Sequence, residues 1–394
     1  MAHKTLIGGT AYNITSGTSM VSGTTYSISG GRTLIDGTGY NINFASPKTA
    51  MLYSDCSFVF QIGDNVESGK TLIASYTDFE DIYIPPWDGY QDSFTSVNFN
   101  TKVAPISIAS WFYHASDMIA NISNFSNLNM NNVTNMASAY SYCYKLTGSP
   151  VCGDKVTDMF FTYYNCYNLT GSPVCSNNVT NMSHTYSYCH NLTGSPVCGD
   201  NVTNMAYTYY ECSNLTGSPV CGDNVTNMSD TYFYCSNLTG SPVCGDNVTN
   251  MSYTYISCYN LTGSPVCGDN VTNMSFAYYE CSNLTGSPVC GNNVTNMSHT
   301  YFYCYNLTGS PVCGDKVTDM RNAYYNCSNL TGSPICGDNV TNMSYTYYNC
   351  RNLTGLPVCG NNVTNMISAY SYCYNLTGSP VCGDKVIGMT SAYY

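Results

Sequence analysis

A cysteine recurs every 23 residues from Cys143 to Cys373, heading eleven near-copies of one phrase: Cys-x-Asn-Leu-Thr-Gly-Ser-Pro-Val-Cys-Gly-Asp-Asn-Val-Thr-Asn-Met-Ser-x-x-Tyr-x-x. No insertion or deletion interrupts the array. A fixed period of about 20 to 50 residues means one supersecondary unit per repeat, each burying its apolar face against its neighbours. The expected fold is mainly β: a solenoid of 23-residue coils, about twelve of them. At about 4.8 Å per coil it would extend about 55 Å.

Ahead of the array stands a shorter repeat. Thr5–Ile14 returns as Ser19–Ile28 and as Thr33–Ile42, a step of 14 residues. Each copy is an apolar run, a Gly-containing turn and an alternating Tyr-x-Ile run, which is a hairpin signal. Isolated hairpins of this size are marginal, so these are expected to pair with each other or with partner chains. Residues 46–118 are irregular, with β-leaning runs at Ser57–Ile62 and Asp81–Ile84 and a loop at Pro85, Pro86 and Trp87. The expected organisation is a hairpin mount over 1–45, a small β-rich domain over 46–118 and the solenoid over 119–394.

Charge narrows the function. Only 9% of residues are charged and the net charge is −12, the wrong balance for nucleic acid or an anionic membrane, both of which need a basic face. No run of about 18 apolar residues occurs, so no membrane insertion is expected. The opening Met1–Gly9 lacks an apolar h-region, so no secretory signal is expected either.

Of 23 cysteines, all but Cys56 lie in the repeat, two per copy. A column of identical small hydrophobes stacks well inside a solenoid, which favours free buried thiols. Adjacent coils are close enough for bridges, although eleven members cannot all pair within one column. Spacings alternate between 9 and 14 residues with no Cys-x-x-Cys, which argues against a metal site. The columns of Leu146, Val151, Val156, Met159 and Tyr163 are expected to form the interior, with Met running from Met136 to Met389 and Tyr from Tyr140 to Tyr393. Proline from Pro150 to Pro380 donates no ladder hydrogen bond, so two short strands with a corner are expected per coil, followed by a helical turn after Met.

The run Asn-Val-Thr-Asn-Met-Ser-x-x-Tyr-x-x-Cys-x-Asn-Leu-Thr resembles the BspA-type leucine-rich repeat of bacterial and protozoan surface proteins. The resemblance covers the array and departs from the family in two places. Ser-Pro-Val stands where the family has a Leu-Asp-Leu strand, and Thr or Ala stands for the Met before Tyr. It implies a leucine-rich-repeat-like solenoid with a role in adhesion or recognition, and names no ligand. The N-terminal Leu-Ile-x-Gly-Thr-x-Tyr-x-Ile hairpins are similar to segments of bacteriophage tail and fibre proteins.

Interior and turn columns hardly vary between copies, whereas the positions after Met and around Cys vary freely. Two of these columns hold His184, Tyr207, Tyr253, Phe276, His299 and Tyr345, and Tyr164, Tyr210, Tyr279, Phe302 and Tyr348. They are expected to share one edge and to be the ligand-binding surface. Tyrosine offers a large area, a polar tip and little rotamer entropy to lose, and an idle surface would carry Lys and Glu instead. Three sequons in most repeats would place glycans about 5 Å apart, so Asn and Thr are expected to satisfy turn backbone instead. Lys155 with Asp158, and Lys316 with Asp319, suggest local charge compensation.

No His, Ser, Cys or carboxylate constellation recurs, so neither catalysis nor a cofactor is expected. An ice-binding face would want paired Thr columns on one strand, whereas this repeat places its two Thr in different segments. The expected function is non-enzymatic recognition by a phage tail-fibre or receptor-binding protein of the virion or an extracellular surface. Its partner would be a host-surface protein or glycan, with homo-oligomer or virion attachment through the N-terminal region. The alternatives are a structural spacer or a bacterial cell-surface adhesin.

Overall fold

The computed structural model describes six strands within residues 1–47, and residues 48–394 apart from positions 54, 56, 63, 78, 82–84, 88, 90–95, 116–121, 124, 379–380 and 394. It divides into two compact units, Met1–Lys48 and Thr49–Tyr394. Cys56 and most of the run expected at Asp81–Ile84 lie outside the described residues. Asp81 itself ends a 3-10 turn, Phe79–Asp81. No helix among the described residues is long and apolar enough to cross a membrane.

In the first unit the 14-residue period gives three antiparallel hairpins. β1 (His3–Ile7) pairs with β2 (Thr10–Ile14), β3 (Thr18–Val21) with β4 (Thr24–Ser27), and β5 (Gly31–Ile35) with β6 (Thr38–Ile42). Each pair is its own two-stranded sheet.

The second unit opens with a five-stranded sheet in the order β11-β10-β8-β7-β9. Its strands are β7 (Lys48–Tyr53), β8 (Ser57–Ile62), β9 (Leu72–Tyr76), β10 (Ser96–Phe99) and β11 (Ile122–Ser123). β8, β10 and β11 run parallel. That parallel ladder continues as single bridges, Val103 to Leu128, Ser107 to Asn135, and then Asn135 to Asp158 to Asn181 along the array. The apolar core is likewise continuous from Ala50 to Ala392. Trp87, in the expected loop, is fully buried among Phe58, Phe60, Phe79 and Trp111.

The coils are built from turns and bridges, not from the two strands and helical turn expected. The segment after Met is a ribbon in which every second peptide lies along the stacking direction. Met159, Phe161, Tyr163 and Asn165 donate their N–H groups to Asn181, Ser183, Thr185 and Ser187 of the next coil at 2.8–3.2 Å. Thr162, Tyr164 and Cys166 close turns onto Met159, Phe161 and Tyr163 at 3.0–3.2 Å. Turning the peptides this way puts Phe161 and Asn165, with their counterparts in each coil, in the left-handed region at φ 52–62°. That region costs an L-residue about 1–2 kcal/mol, and the inter-coil hydrogen bonds offset it. Just ahead of the ribbon, two residues before Met, the direction reverses: Thr157 N–H donates back to Thr134 O at 2.8 Å, and so on up the stack.

The interior follows from identical residues meeting at each step. Met136 through Met366 are fully buried, and Tyr140 through Tyr370 stack face to face at 5.2–5.6 Å. Met389 is 47% exposed and Tyr393 38% exposed, so both columns reach the surface at their last members. The first cysteine of each repeat is buried, and its thiol donates to a carbonyl of the preceding coil, Phe112 O for Cys143 and a tyrosine O for the others, as Cys166 does to Tyr140 O at 3.1 Å. Burial pushes these thiols well above their ordinary pKa, which makes them inert. All 22 described cysteines are unpaired.

The Val151 column is not interior, contrary to expectation. Val151 and Val174 are half-buried, and Ile335 and Val358 are exposed. Their backbone faces inward because the Tyr hydroxyl needs it. Tyr163 Oη accepts from Val151 N–H at 2.9 Å and donates to Val151 O at 2.8 Å, a tack repeated through Tyr347 and Ile335. Proline in this segment leaves no ladder to hold it, and the phenol supplies the missing partner.

Two side-chain expectations resolve differently. Many of the sequon asparagines bond to backbone as expected: Asn168 Nδ2 donates to Tyr144 O at 2.8 Å, and Asn181 Oδ1 accepts from Ser183 N at 3.1 Å, whereas Asn191 Nδ2 donates to the Asn168 side chain at 3.5 Å. Lys155 and Lys316 do not compensate Asp158 and Asp319. Each reaches back one coil to an asparagine, Asn132 at 3.3 Å and Asn293 at 2.6 Å. Asp158 caps Phe160 N–H at 2.9 Å, and Asp319 pairs with Arg321 at 3.3 Å.

Candidate recognition surface

The left-handed residue two positions after each Met carries its side chain off the ribbon's outer side. His184, Tyr207, Tyr253, Phe276, His299 and Tyr345 occupy this column. Tyr164, Tyr210, Tyr279, Phe302 and Tyr348 occupy the column three residues further on. The two columns touch along the ribbon: Tyr207–Tyr210 at 5.6 Å, Phe276–Tyr279 at 5.7 Å, His299–Phe302 at 5.7 Å and Tyr345–Tyr348 at 5.9 Å between ring centroids. Tyr164 meets His184 edge-on at 6.1 Å. All eleven residues therefore lie on one edge.

Within a column the rings stack from coil to coil. Phe161, His184 and Tyr207 form one run at 4.3 and 4.5 Å, and Tyr253, Phe276 and His299 another at 4.8 and 4.3 Å. In the second column Tyr279, Phe302, Tyr325 and Tyr348 stack at 4.6–4.7 Å. Stacked rings present edges, hydroxyls and ring nitrogens outward, not faces. Asp230 and Asn322 interrupt the first column, and the buried Ser187 and Ile256 interrupt the second.

The stacking sets the charge states. Partial burial between rings pushes His184 down to about 4 and lowers His299, helped there by Arg321. Burial raises Asp230 to about 6, against a hydrogen bond from Tyr207 that lowers it. Both histidines are thus neutral at physiological pH. The two columns are uncharged apart from Asp230, and Glu211, Glu280 and Arg321 lie against them, beside Tyr210, Tyr279 and His299.

Further aromatics join the same edge beyond the eleven. Tyr144, Tyr167 and His190, each following its cysteine, stack at 5.2 and 5.3 Å. His114 stacks on Tyr142 at 4.2 Å, because the ribbon begins ahead of the first recognisable repeat. Ile108, Ser110, Phe112 and His114 donate to Asn135, Ala137, Ala139 and Ser141 at 2.8–3.0 Å, with Ser110 and His114 left-handed. The signal in the sequence is faint: Ile108, Phe112 and Ala115 stand for Met, Tyr and Cys at an offset of 28 residues.

A family model described as "Mycoplasma protein of unknown function, DUF285" matches residues 97–214, from β10 into the array. Among solved structures, the chain is similar to a leucine rich cell surface protein from Faecalibacterium prausnitzii A2-165. The two are 15% identical over 86% of this chain and 95% of that one, with a TM-score of 0.37. No curated protein matches.

Proposed function

We propose that this is a non-enzymatic recognition protein of the adhesion type, acting at a surface, and that the aromatic edge contacts its partner. The observation that carries the reading is the gathering of the variable aromatics on one ribbon while the interior columns stay constant. Tyrosine edges suit a host-surface protein or glycan met through hydroxyl hydrogen bonds and ring contacts. The BspA-like motif in the array agrees with a cell-surface role. The tail-fibre expectation rests on the N-terminal hairpins and finds no counterpart among the similar proteins.

Replacing Tyr207, Tyr253 and Tyr345 together with Ser tests the reading, because Ser138 and Ser368 already occupy this left-handed column. Attachment of labelled protein to host cells should fall while the circular dichroism spectrum is retained. Undiminished attachment would remove the aromatic edge from the proposal. The second reading, a spacer, is favoured by the gapless period: removing whole repeats would then shorten reach gradually without abolishing attachment at any particular coil.

A further inference from the structure

The array's last two repeats break its internal bonding, and a cluster of sulfur atoms results. Val358 should be tacked by the Tyr370 hydroxyl, as its counterparts are, but it bridges Val381 of the following coil instead. Cys359 N–H donates to Val381 O at 3.0 Å and Val381 N–H to Pro357 O at 3.2 Å. The copy concerned carries Leu356 where the others have Ser. Cys359 Sγ lies 3.5 Å from Met366 Sδ, much as Cys175 Sγ lies 3.4 Å from Met182 Sδ, and the new bridge adds Cys382, whose Sγ lies 3.8 Å from both Cys359 Sγ and Met366 Sδ. The Tyr370 hydroxyl, buried and without an oxygen or nitrogen partner, lies against Cys359. Tyr393 Oη sits 3.3 Å from Cys382 Sγ and 3.9 Å from Cys359 Sγ.

We propose that Cys359, Cys382 and Met366 form a trigonal site for Cu(I). The centre of a triangle with these sides is about 2.1 Å from each sulfur, close to the roughly 2.3 Å of a first-row metal–thiolate bond. No sulfur has to move far to bind. Two thiolates and a thioether are soft donors, which select Cu(I). Zinc, by contrast, takes four donors drawn from thiolate, imidazole and carboxylate, and no three His, Cys, Asp or Glu gather among the described residues. A disulfide would need the two thiols to close from 3.8 Å to about 2.05 Å. On binding, one cation enters and two thiol protons leave to solvent, with no electron transferred. A cleft of about 280 Å³ lies beside the cluster and shares Tyr370 and Tyr393 with it. The sequence conceals the site because its ligands come from neighbouring coils, 7 and 23 residues from Cys359.

The test uses the full chain, reduced and kept anaerobic, loaded with Cu(I) against a chromophoric Cu(I) chelator. Other cysteines can take copper, so the difference between variants is read. Met366→Leu keeps the core volume and should retain about one equivalent less than the parent, as should Cys359→Ser. Cys198→Ser, in a coil that keeps its tyrosine tack, should match the parent. At one equivalent, copper-edge X-ray absorption should give a first shell of three sulfurs. Circular dichroism checks folding, and Met366→Leu alone decides if Cys359→Ser misfolds. Equal copper in parent and Met366→Leu, or oxygen or nitrogen in the first shell, would overturn the site. So would tighter retention of Zn(II), or a Cys359–Cys382 disulfide that forms in the metal-free protein and survives treatment with reductant.

Discussion

Two residues in the first aromatic column pull stability in opposite directions with pH. Asp230 is raised to about 6 from 3.8 by burial. It favours the fold below its ordinary value, and that contribution is lost as pH rises through about 6. His184 is lowered to about 4 from 6.5. Its contribution is present above the ordinary imidazole value and is lost as pH falls through about 4. Asp230→Asn should therefore raise the melting temperature at neutral pH and leave it nearly unchanged near pH 4, about the ordinary carboxylate value. Asn also suits the left-handed backbone, as Asn322 does in the same column. His184→Phe, isosteric with Phe161 and Phe276, should remove part of the acid-side loss. Thermal melts across that range measure both. These left-handed positions were not legible in the sequence, because bulky aromatics such as Tyr207 and Phe276 are residues that ordinarily avoid φ > 0. The columns' variability was legible, and it follows from side chains that point off the ribbon.

Within one coil the phenol tack is the feature that holds the proline segment. Tyr232 Oη accepts from Val220 N–H at 3.0 Å and donates to Val220 O at 2.8 Å. Tyr232→Phe keeps the ring in the ladder and leaves that N–H unpaired, at a cost of about 1–3 kcal/mol. Hydrogen exchange at Val220 should quicken while exchange at Met228 and Tyr232 on the ribbon changes little. Gly240→Ala strains a different part of the coil. The added Cβ would lie 2.2 Å from Ser218 Oγ, at a backbone φ of 83°. It should destabilise by about 1 kcal/mol or more, read as a lower denaturation midpoint. The constancy of the Tyr column announced a buried ring, but not the hydroxyl's two bonds. Their partner lies twelve residues upstream in a segment whose apolar Val151, Val174 and Val197 look like core residues. Apolar identity and burial part here because the backbone, and not the side chain, is what the interior needs.

Among the described residues of the array, the backbone bonds between coils join neighbours. Deleting Cys235–Ser257, one whole period, should leave a folded protein with a similar spectrum and a nearly unchanged midpoint. Deleting Cys235–Asp246 alone would set polar turn residues against the Met and Tyr columns and abolish cooperative unfolding; calorimetry separates the two outcomes. The period and the Met, Tyr and Cys columns were readable from identity alone, since like residues must meet when coils stack without insertions. The coil at Ile108–Ala115 was not, because its apolar pattern survives while its letters and spacing change.

The opposed directions of backbone donation make the interior coils interchangeable. The ribbon donates forward and the threonine ahead of it donates backward, so every interior coil offers the same pair of docking faces as its neighbours. A whole period could therefore be gained or lost without an unmatched joint, and the register of every remaining coil would be preserved.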